Sequence, residues 1–256
     1  MVQELSLPGY SFARVYDEVT STMDLAREAI VGLGSEAGVI CARVQSRGRG
    51  RQGRTWSSTS GALMMTALFP TTLPISELSG YSLVVGLALV DSFEVCSARL
   101  QLKWPNDLVI VRDDTLRKVG GILIEVQDLG DRRVILVGVG INISGTPDDV
   151  AHASSIEEIS SRALSLEEAL GMSCEKLRIA HDLFVSLGGF SRFRERWEQV
   201  SCFERDRTEV ALDLGERQIS GVYRGVDERG ALLLANAEGV NAYHSGHLLN
   251  YSGLRR

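Results

Sequence analysis

The sequence has no C-x-x-C pair, and its four cysteines (Cys41, Cys96, Cys174, Cys202) are scattered. This excludes a cysteine zinc site and a dithiol redox motif. Cys41 and Cys96 fall within apolar runs and are expected to be buried packing residues. The chain lacks G-x-x-x-x-G-K-[ST], so it is not a P-loop NTPase, and it lacks G-x-S-x-G and H-E-x-x-H. Its longest apolar run, Leu83 to Val90, is far short of the roughly 20 residues that span a membrane. The N-terminal decapeptide has neither the basic nor the apolar region of a secretory signal. A reducing cytoplasm is therefore the expected compartment, without membrane attachment. A basic balance is also missing: the net charge is −6, which speaks against a polyanionic partner such as DNA. Internal repeats and low-complexity tracts are absent as well.

The basic residues are instead concentrated in one place. Ser46 to Trp56 reads S-R-G-R-G-R-Q-G-R-T-W, between the apolar runs Val39 to Val44 and Ala62 to Phe69. Glycines allow close backbone approach, and arginines present planar forks of donors to carboxylate or phosphate. Read alone, the stretch is either an anion-binding loop, closing around its ligand, or a solvated basic turn.

With 256 residues, 44% hydrophobic and 23% charged, the chain can bury one large core or a large and a small one. Residues 1 to 14 carry no strong pattern. Arg14 to Val19 reads as a short strand. Ser21, with Asp24 three residues on, has the form of a capping box before a helix, so Ser21 and Thr22 are expected at its N-terminus, where backbone N–H groups suit an anion. Gly38 to Val44 reads as a buried strand ending at Gln45, and Gly61 to Phe69 as the next. Leu78 to Val95 is expected to be a helix packed on the sheet. Leu100 to Lys103 enters W-P-N-D, where Pro105 blocks a helix and places Asn106 and Asp107 in a turn. Lys118 is expected at the start of a strand running on to Val126, with Gly120 and Gly121 open to close approach. Val134 to Ile143 is a continuous apolar strand holding one polar side chain, Asn142. Gly145 to Ser165 reads as surface loop with short helices, Ser165 and Glu168 as a second capping box, and the stretches on to Val200 as outer helices. From Thr208 to His244 four short strands alternate with turns, the pattern of a small β-barrel. The expected division is 1–204 and 205–256.

Three distant stretches thus place polar groups at strand ends: G-R-G-R-Q-G-R-T-W, K-W-P-N-D-L and K-V-G-G-I-L-I-E. They supply arginines, two lysines and an Asn–Asp pair suited to magnesium. The four histidines (His152, His181, His244, His247) lie outside them, so no histidine base is expected. With S-T at 21–22 and G-V-G-I-N at 138–142, these motifs, in this order and spacing, resemble those of biotin–protein ligases. The resemblance covers about residues 14 to 145, with a weaker echo in the C-terminal strands up to Ser245 and Gly246.

The resemblance implies an α/β (α+β) catalytic domain, with a mixed sheet flanked by helices like that of class II aminoacyl-tRNA synthetases, and a small SH3-like barrel. It implies a ligase that uses ATP and Mg2+ to turn biotin into biotinyl-5′-AMP and then biotinylates a lysine on the biotin carboxyl carrier protein or domain of acetyl-CoA carboxylase or a related carboxylase. By resemblance, Ser21, Thr22, Met23, Gln45, Gly48, Arg49, Gly50, Arg51, Lys118, Gly120 and Gly121 form the biotin site. Arg51, Arg54, Trp56, Lys103, Asn106, Lys118 and Asn142 form the ATP site. Asn106 and Asp107 serve the metal, and Lys118, Arg51 and Arg49 are the catalytic cations. Met23 stands where asparagine is also common in the family, so its side chain is expected to matter little. The residues before Ser21 are too few for the helix-turn-helix domain of the repressor members, and DNA binding is not expected. A homodimer is compatible with the family. The rival readings are a lipoate or octanoate ligase of related fold, a non-catalytic biotin sensor, and an R-G-type nucleic-acid-binding protein.

Overall fold

The structure, a computed structural model, describes residues 1–57 and 59–255. The chain runs β1 (Val2–Leu5), β2 (Tyr10–Val19), α1 (Thr22–Ala29), β3 (Ala37–Gln45), β4 (Ala62–Thr71), α2 (Tyr81–Glu94), β5 (Gln101–Lys103), β6 (Asp107–Arg112), β7 (Thr115–Asp128) and β8 (Arg133–Asn142). It continues through α3 (Leu166–Leu187), α4 (Arg194–Val200), β9 (Glu209–Asp213), β10 (Gln218–Val226), β11 (Leu232–Asn236), β12 (Gly239–Tyr243) and β13 (His247–Ser252).

The first eight strands form a mixed sheet in the order β1-β2-β3-β4-β8-β7-β6-β5. Only the β2–β3 pair is parallel among the described pairings. Side chains alternate between the faces of a strand, and the central strands bury both faces. Val39, Cys41, Ala67, Phe69, Ile135 and Val137 point into the large core. Their neighbours Ile40, Leu68, Val134 and Leu136 point into a smaller one. This explains the unbroken apolar runs of β4 and β8.

Helices cover both faces. α1 seals the smaller core with Met23, Ala26 and Ile30, and burial of an isoleucine contributes about 1.5–3 kcal/mol. Ser21 caps α1 by accepting from the Met23 amide at 3.3 Å. The predicted capping box is absent, because Asp24 turns instead to Arg27 at 2.6 Å. On the other face, α2 begins at Tyr81 rather than Leu78, since Gly80 takes φ +78° and interrupts the helical path. The second capping box forms as expected between Ser165 and Glu168 and opens α3. No helix occupies 145–165 among the described residues; that stretch is turns and bends. The N-terminal residues without a pattern form β1, an exposed edge strand paired to β2, and the start of β2 itself.

The last five strands form an antiparallel sheet in the order β12-β11-β10-β9-β13. Its fifth strand, β13, was not expected. The sheet shares the large core, since Val210, Leu212, Tyr223, Val226, Leu232, Leu234 and Leu248 belong to it. The Trp104 indole N–H donates to the Gly230 carbonyl at 3.1 Å, tying the W-P-N-D turn to this sheet. No helix among the described residues is long and apolar enough to cross a membrane.

On the inner face of α3, His181 is 8% exposed. It stacks on Phe69 at 4.6 Å and lies 2.9 Å from the Tyr81 hydroxyl. Burial holds its pKa below the ordinary value. The folded chain therefore resists a proton that the unfolded chain accepts below about pH 6.5. Stability should fall as the pH drops through that value. In His181→Gln the fall between about pH 6.5 and 5 should be smaller, as read by urea denaturation at each pH.

Candidate active site

The cavity lies on the α1 face of the large sheet. Its floor is β7 and β8, which pair with Gly121 opposite Gly140 and Leu123 opposite Gly138. This stretch of sheet is nearly bare of side chains. A Cβ on Gly140 would fall within the Trp56 indole, and one on Gly138 would lie 2.7 Å from Met23 Cε. Thr66 on β4 stands opposite Gly138.

Lys118 lies three residues inside β7 rather than at its start. Residues three apart in a regular strand face opposite sides. Yet Lys118 Nζ would lie 3.4 Å from a Cβ on Gly121, on the cavity side. A bulge explains this: Leu108 pairs with Gly120 while Val109 pairs with Lys118, leaving Val119 unmatched. The Lys118 backbone is then taken up by 152–154, through His152 O at 2.8 Å and Ser154 N at 2.8 Å. Lys118 Nζ meets Asp107 Oδ1 at 2.6 Å and stands 5.8 Å from the centre of the Trp56 ring.

At one end of the cavity a buried polar chain forms. The Thr66 hydroxyl donates to Thr22 Oγ1 at 2.9 Å. The Thr22 amide and hydroxyl both donate to Gln45 Oε1, at 2.7 and 3.1 Å. Ser21, Thr22 and Thr66 are 1%, 4% and 0% exposed. With its oxygen engaged, Gln45 has an amide nitrogen without a hydrogen-bond partner among the described residues.

The glycine–arginine stretch folds back as a small hairpin over the cavity. Trp56 N donates to Gly48 O at 2.9 Å, Gly50 N to Arg54 O at 2.8 Å, and Arg49 bridges Thr55. Arg51 reaches inward and donates to Asn106 Oδ1 at 2.9 Å. Burial lowers the Arg51 pKa, and the nearby Asp107 acts against that shift. Asn106 also donates to Ile122 O at 2.9 Å, which fixes its orientation.

Ser21, Thr22, Met23, Gln45, Arg49, Gly50, Arg51, Arg54, Trp56, Asn106, Asp107, Lys118 and Gly121 therefore line one cavity. Four expected residues do not. Gly48 lies on the outer side of the hairpin. Gly120 packs against Gly140 and Ile141. Lys103 holds its ammonium 5.2 Å over the Tyr251 ring, with its pKa lowered by burial. Asn142 donates to Ser154 O at 3.0 Å and so clamps the segment that supports Lys118. The Met23 side chain, expected to matter little, is 2% exposed and fills the cavity wall.

Some lining residues were not foreseen. Thr66, Leu123, Gly138 and Gly140 come from strand interiors, where only the register shows which face they take. His247, set apart with the other histidines, reaches the cavity from β13 beside Gly246. Its pKa is lowered by burial and then by Arg54 and Lys103. The Ser245–Gly246 pair was the signal for it: Gly246 takes φ +149° and packs on Leu212, so a side chain there would be strained.

A resident metal does not fit this donor set. No group of three or more His, Cys, Asp or Glu residues gathers among the described residues. The Asn106 and Asp107 oxygens already face Arg51 and Lys118. One amide and one carboxylate do suit a magnesium ion that arrives on phosphates, since such ions keep few protein ligands. Two buried polar atoms nearby, Trp56 Nε1 and Asn142 Oδ1, lack a partner within the described residues.

The Biotin/lipoate A/B protein ligase family model matches residues 16–142. The chain is 30% identical over 228 residues to the biotin--[acetyl-CoA-carboxylase] ligase of Mycobacterium tuberculosis, covering 84% of this chain and 79% of that one. It is 31% identical over 229 residues to the bifunctional ligase/repressor BirA of Escherichia coli, covering 83% and 66%. The fold is similar to the structure of the biotin protein ligase of Aquifex aeolicus in complex with biotin and ATP, with a TM-score of 0.75, 29% identity and coverage of 95% and 98%.

The floor glycines lead to a direct test. Gly140→Val should expel the Trp56 indole from its seat. Trp104 and Trp197 are 2% and 1% exposed, so tryptophan emission should shift to the red through Trp56 alone. An unchanged spectrum would show that the indole does not rest on Gly140.

Proposed function

The chain belongs to the Biotin/lipoate A/B protein ligase family, and on that premise we propose that it is an ATP-dependent biotin–protein ligase. The observation that carries this reading is the single cavity that joins a buried polar chain, Thr66–Thr22–Gln45, to a cationic centre, Arg51 and Lys118. A ureido ring offers donors and an acceptor to such a chain. The alkyl chain of octanoate and the dithiolane of lipoate do not, and they would cover the Gln45 amide nitrogen without giving it a partner, at about 1–3 kcal/mol. This favours biotin over the other carboxylates of related ligases.

In this reading, Ser21, Thr22 and Gln45 hold the ureido head, and Met23 and the glycine floor fix the bicyclic ring. The valeryl chain then directs its carboxylate toward Arg51 and Lys118. That carboxylate is ionised at neutral pH and needs no base. One of its oxygens attacks the α-phosphorus of ATP, the bond to the bridging β-phosphate oxygen breaks, and pyrophosphate leaves. Two unit anions at 4 Å resist approach by about 4 kcal/mol at an effective dielectric of 20. Lys118 and Arg51 reduce that repulsion as preorganised donors, and Arg54 serves the departing phosphates. Asn106 and Asp107 would hold the magnesium ion that accompanies ATP, which would supply neutralisation of phosphate charge. Trp56, lying flat on Gly140, offers a face for adenine, and Asn142 supports the strand beneath it.

In the second step a lysine amine on a biotin carboxyl carrier domain attacks the acyl carbon. The carbon–oxygen bond to phosphate breaks, AMP leaves with the bonding electron pair, and the amine's proton passes to solvent water. Asp107, already within 2.6 Å of Lys118, is placed to hold that charge. The division at 204/205 assigns this chemistry to the first part, with the second part contributing His247 to the cavity.

Biotin-dependent ATP–pyrophosphate exchange with the purified chain tests the assignment. Exchange on lipoate or octanoate, and none on biotin, would overturn it. Arg51→Ala and Lys118→Ala should each lower biotin-dependent exchange by at least ~10²-fold, the scale of one lost transition-state donor.

A further inference from the structure

Arg49 ties the hairpin to α1 and β7. Its guanidinium lies 3.2 Å from Asp24 on α1 and 4.0 Å from Glu125 on β7. Arg27 grips the same two carboxylates, at 2.6 Å to Asp24 and 2.5 Å to Glu125. Two cations and two anions from three sequence-distant elements thus close into one network. It sits on the outer side of the hairpin, next to Leu123, which also lines the main cavity. Asp24 and Glu125 do not line that cavity.

We propose that Asp24 and Glu125 are positioning residues that hold the glycine–arginine hairpin closed over the site through Arg49. The inference rests on the adenylate-forming reading above. With both carboxylates present, Arg49 is drawn down onto the sheet and the hairpin covers the cavity. With both neutralised, Arg27 and Arg49 face each other uncompensated, and the attraction becomes a repulsion. The side chains are one-quarter to one-half exposed, so the latch is reversible and screened by salt. Such a latch shields a mixed anhydride from water and still opens for the acceptor lysine.

The test follows biotinyl-5′-AMP formed on the full chain from biotin and α-labelled MgATP and then chased with unlabelled ligands. In the Asp24→Asn/Glu125→Gln variant, dissociation of the adenylate should rise roughly 5- to 20-fold, the scale of two lost ion pairs. Its rate of adenylate formation at saturating substrates should stay within about threefold of the parent. Dissociation from the parent should quicken with added NaCl, while that from the variant should not. Arg27→Met removes the competitor for the two carboxylates, so its adenylate should leave no faster than the parent's. Without ligand, trypsin should cut after Arg47 and Arg54 faster in the double variant than in the parent.

Equal dissociation rates in the parent and the double variant would overturn the latch. So would an Arg27→Met enzyme that leaks as fast as the double variant, since that would mark a general loss of structure. A parent that forms no biotin-dependent adenylate would overturn the ligase reading and the latch together.

Discussion

The site depends on a patch of sheet without side chains. Gly121 and Gly140 sit opposite one another at its centre, and Gly138 lies one step along. Glycine in a strand interior weakens it by roughly 0.5–1 kcal/mol relative to alanine. The patch allows three things to touch the backbone itself: the Trp56 indole on Gly140, Met23 Cε on Gly138 and the Lys118 ammonium beside Gly121. Any Cβ at Gly140 would lift Trp56, and the hairpin hinged at Gly48 and Trp56 would rise with it. The closed hairpin and the position of Lys118 both follow from that bare floor.

The cations gathered above the floor must be held close together before any anion arrives. Three of them have identifiable partners. Lys118 takes the Asp107 carboxylate, Arg51 takes the neutral Asn106 oxygen, and Arg49 shares two carboxylates with Arg27. The gradation has a consequence for chemistry. Of these three, Arg51 is the one that donates to a neutral oxygen rather than a carboxylate, so an anion entering there displaces no counter-charge. Lys118 gives up a full counter-charge to reach a ligand, and the Asp107 it leaves behind is then free to receive a cation such as an incoming ammonium.

Which parts of this were legible in the sequence follows from how local each cause is. The hairpin, Gln45 before it, the Asn–Asp turn after Pro105 and the paired glycines of K-V-G-G are contiguous strings, and their chemistry can be read directly. Thr66 could not be read, because it is one threonine in an apolar strand and acquires meaning only opposite Gly138. The side on which Lys118 lies is hidden for the same reason, since the bulge at Val119 exists only in the pairing of β6 with β7. Asp24 was misassigned to a cap because its true partners, Arg27 and Arg49, include one on a distant loop. Edge strand β1 and the last strand β13 left no clear alternation, as both expose much of their length.

The C-terminal sheet shows how a small second sheet becomes part of the site. It has no separate core: Leu212, Leu234 and Leu248 pack into the same cluster as the catalytic strands. Its orientation is set by Trp104, whose indole donates to Gly230. Trp104 is two residues from Asn106 and three from Asp107, so one short turn faces the cavity with its far end and grips the second sheet with its near end. Gly246 then lets β13 start against Leu212, and His247 arrives at the cavity wall. Movement of the second sheet would therefore be felt at Asn106 and Asp107, the two side chains that hold Arg51 and Lys118. The K-W-P-N-D string is thus as much a joint as a ligand, and the tryptophan in it belongs to the joint.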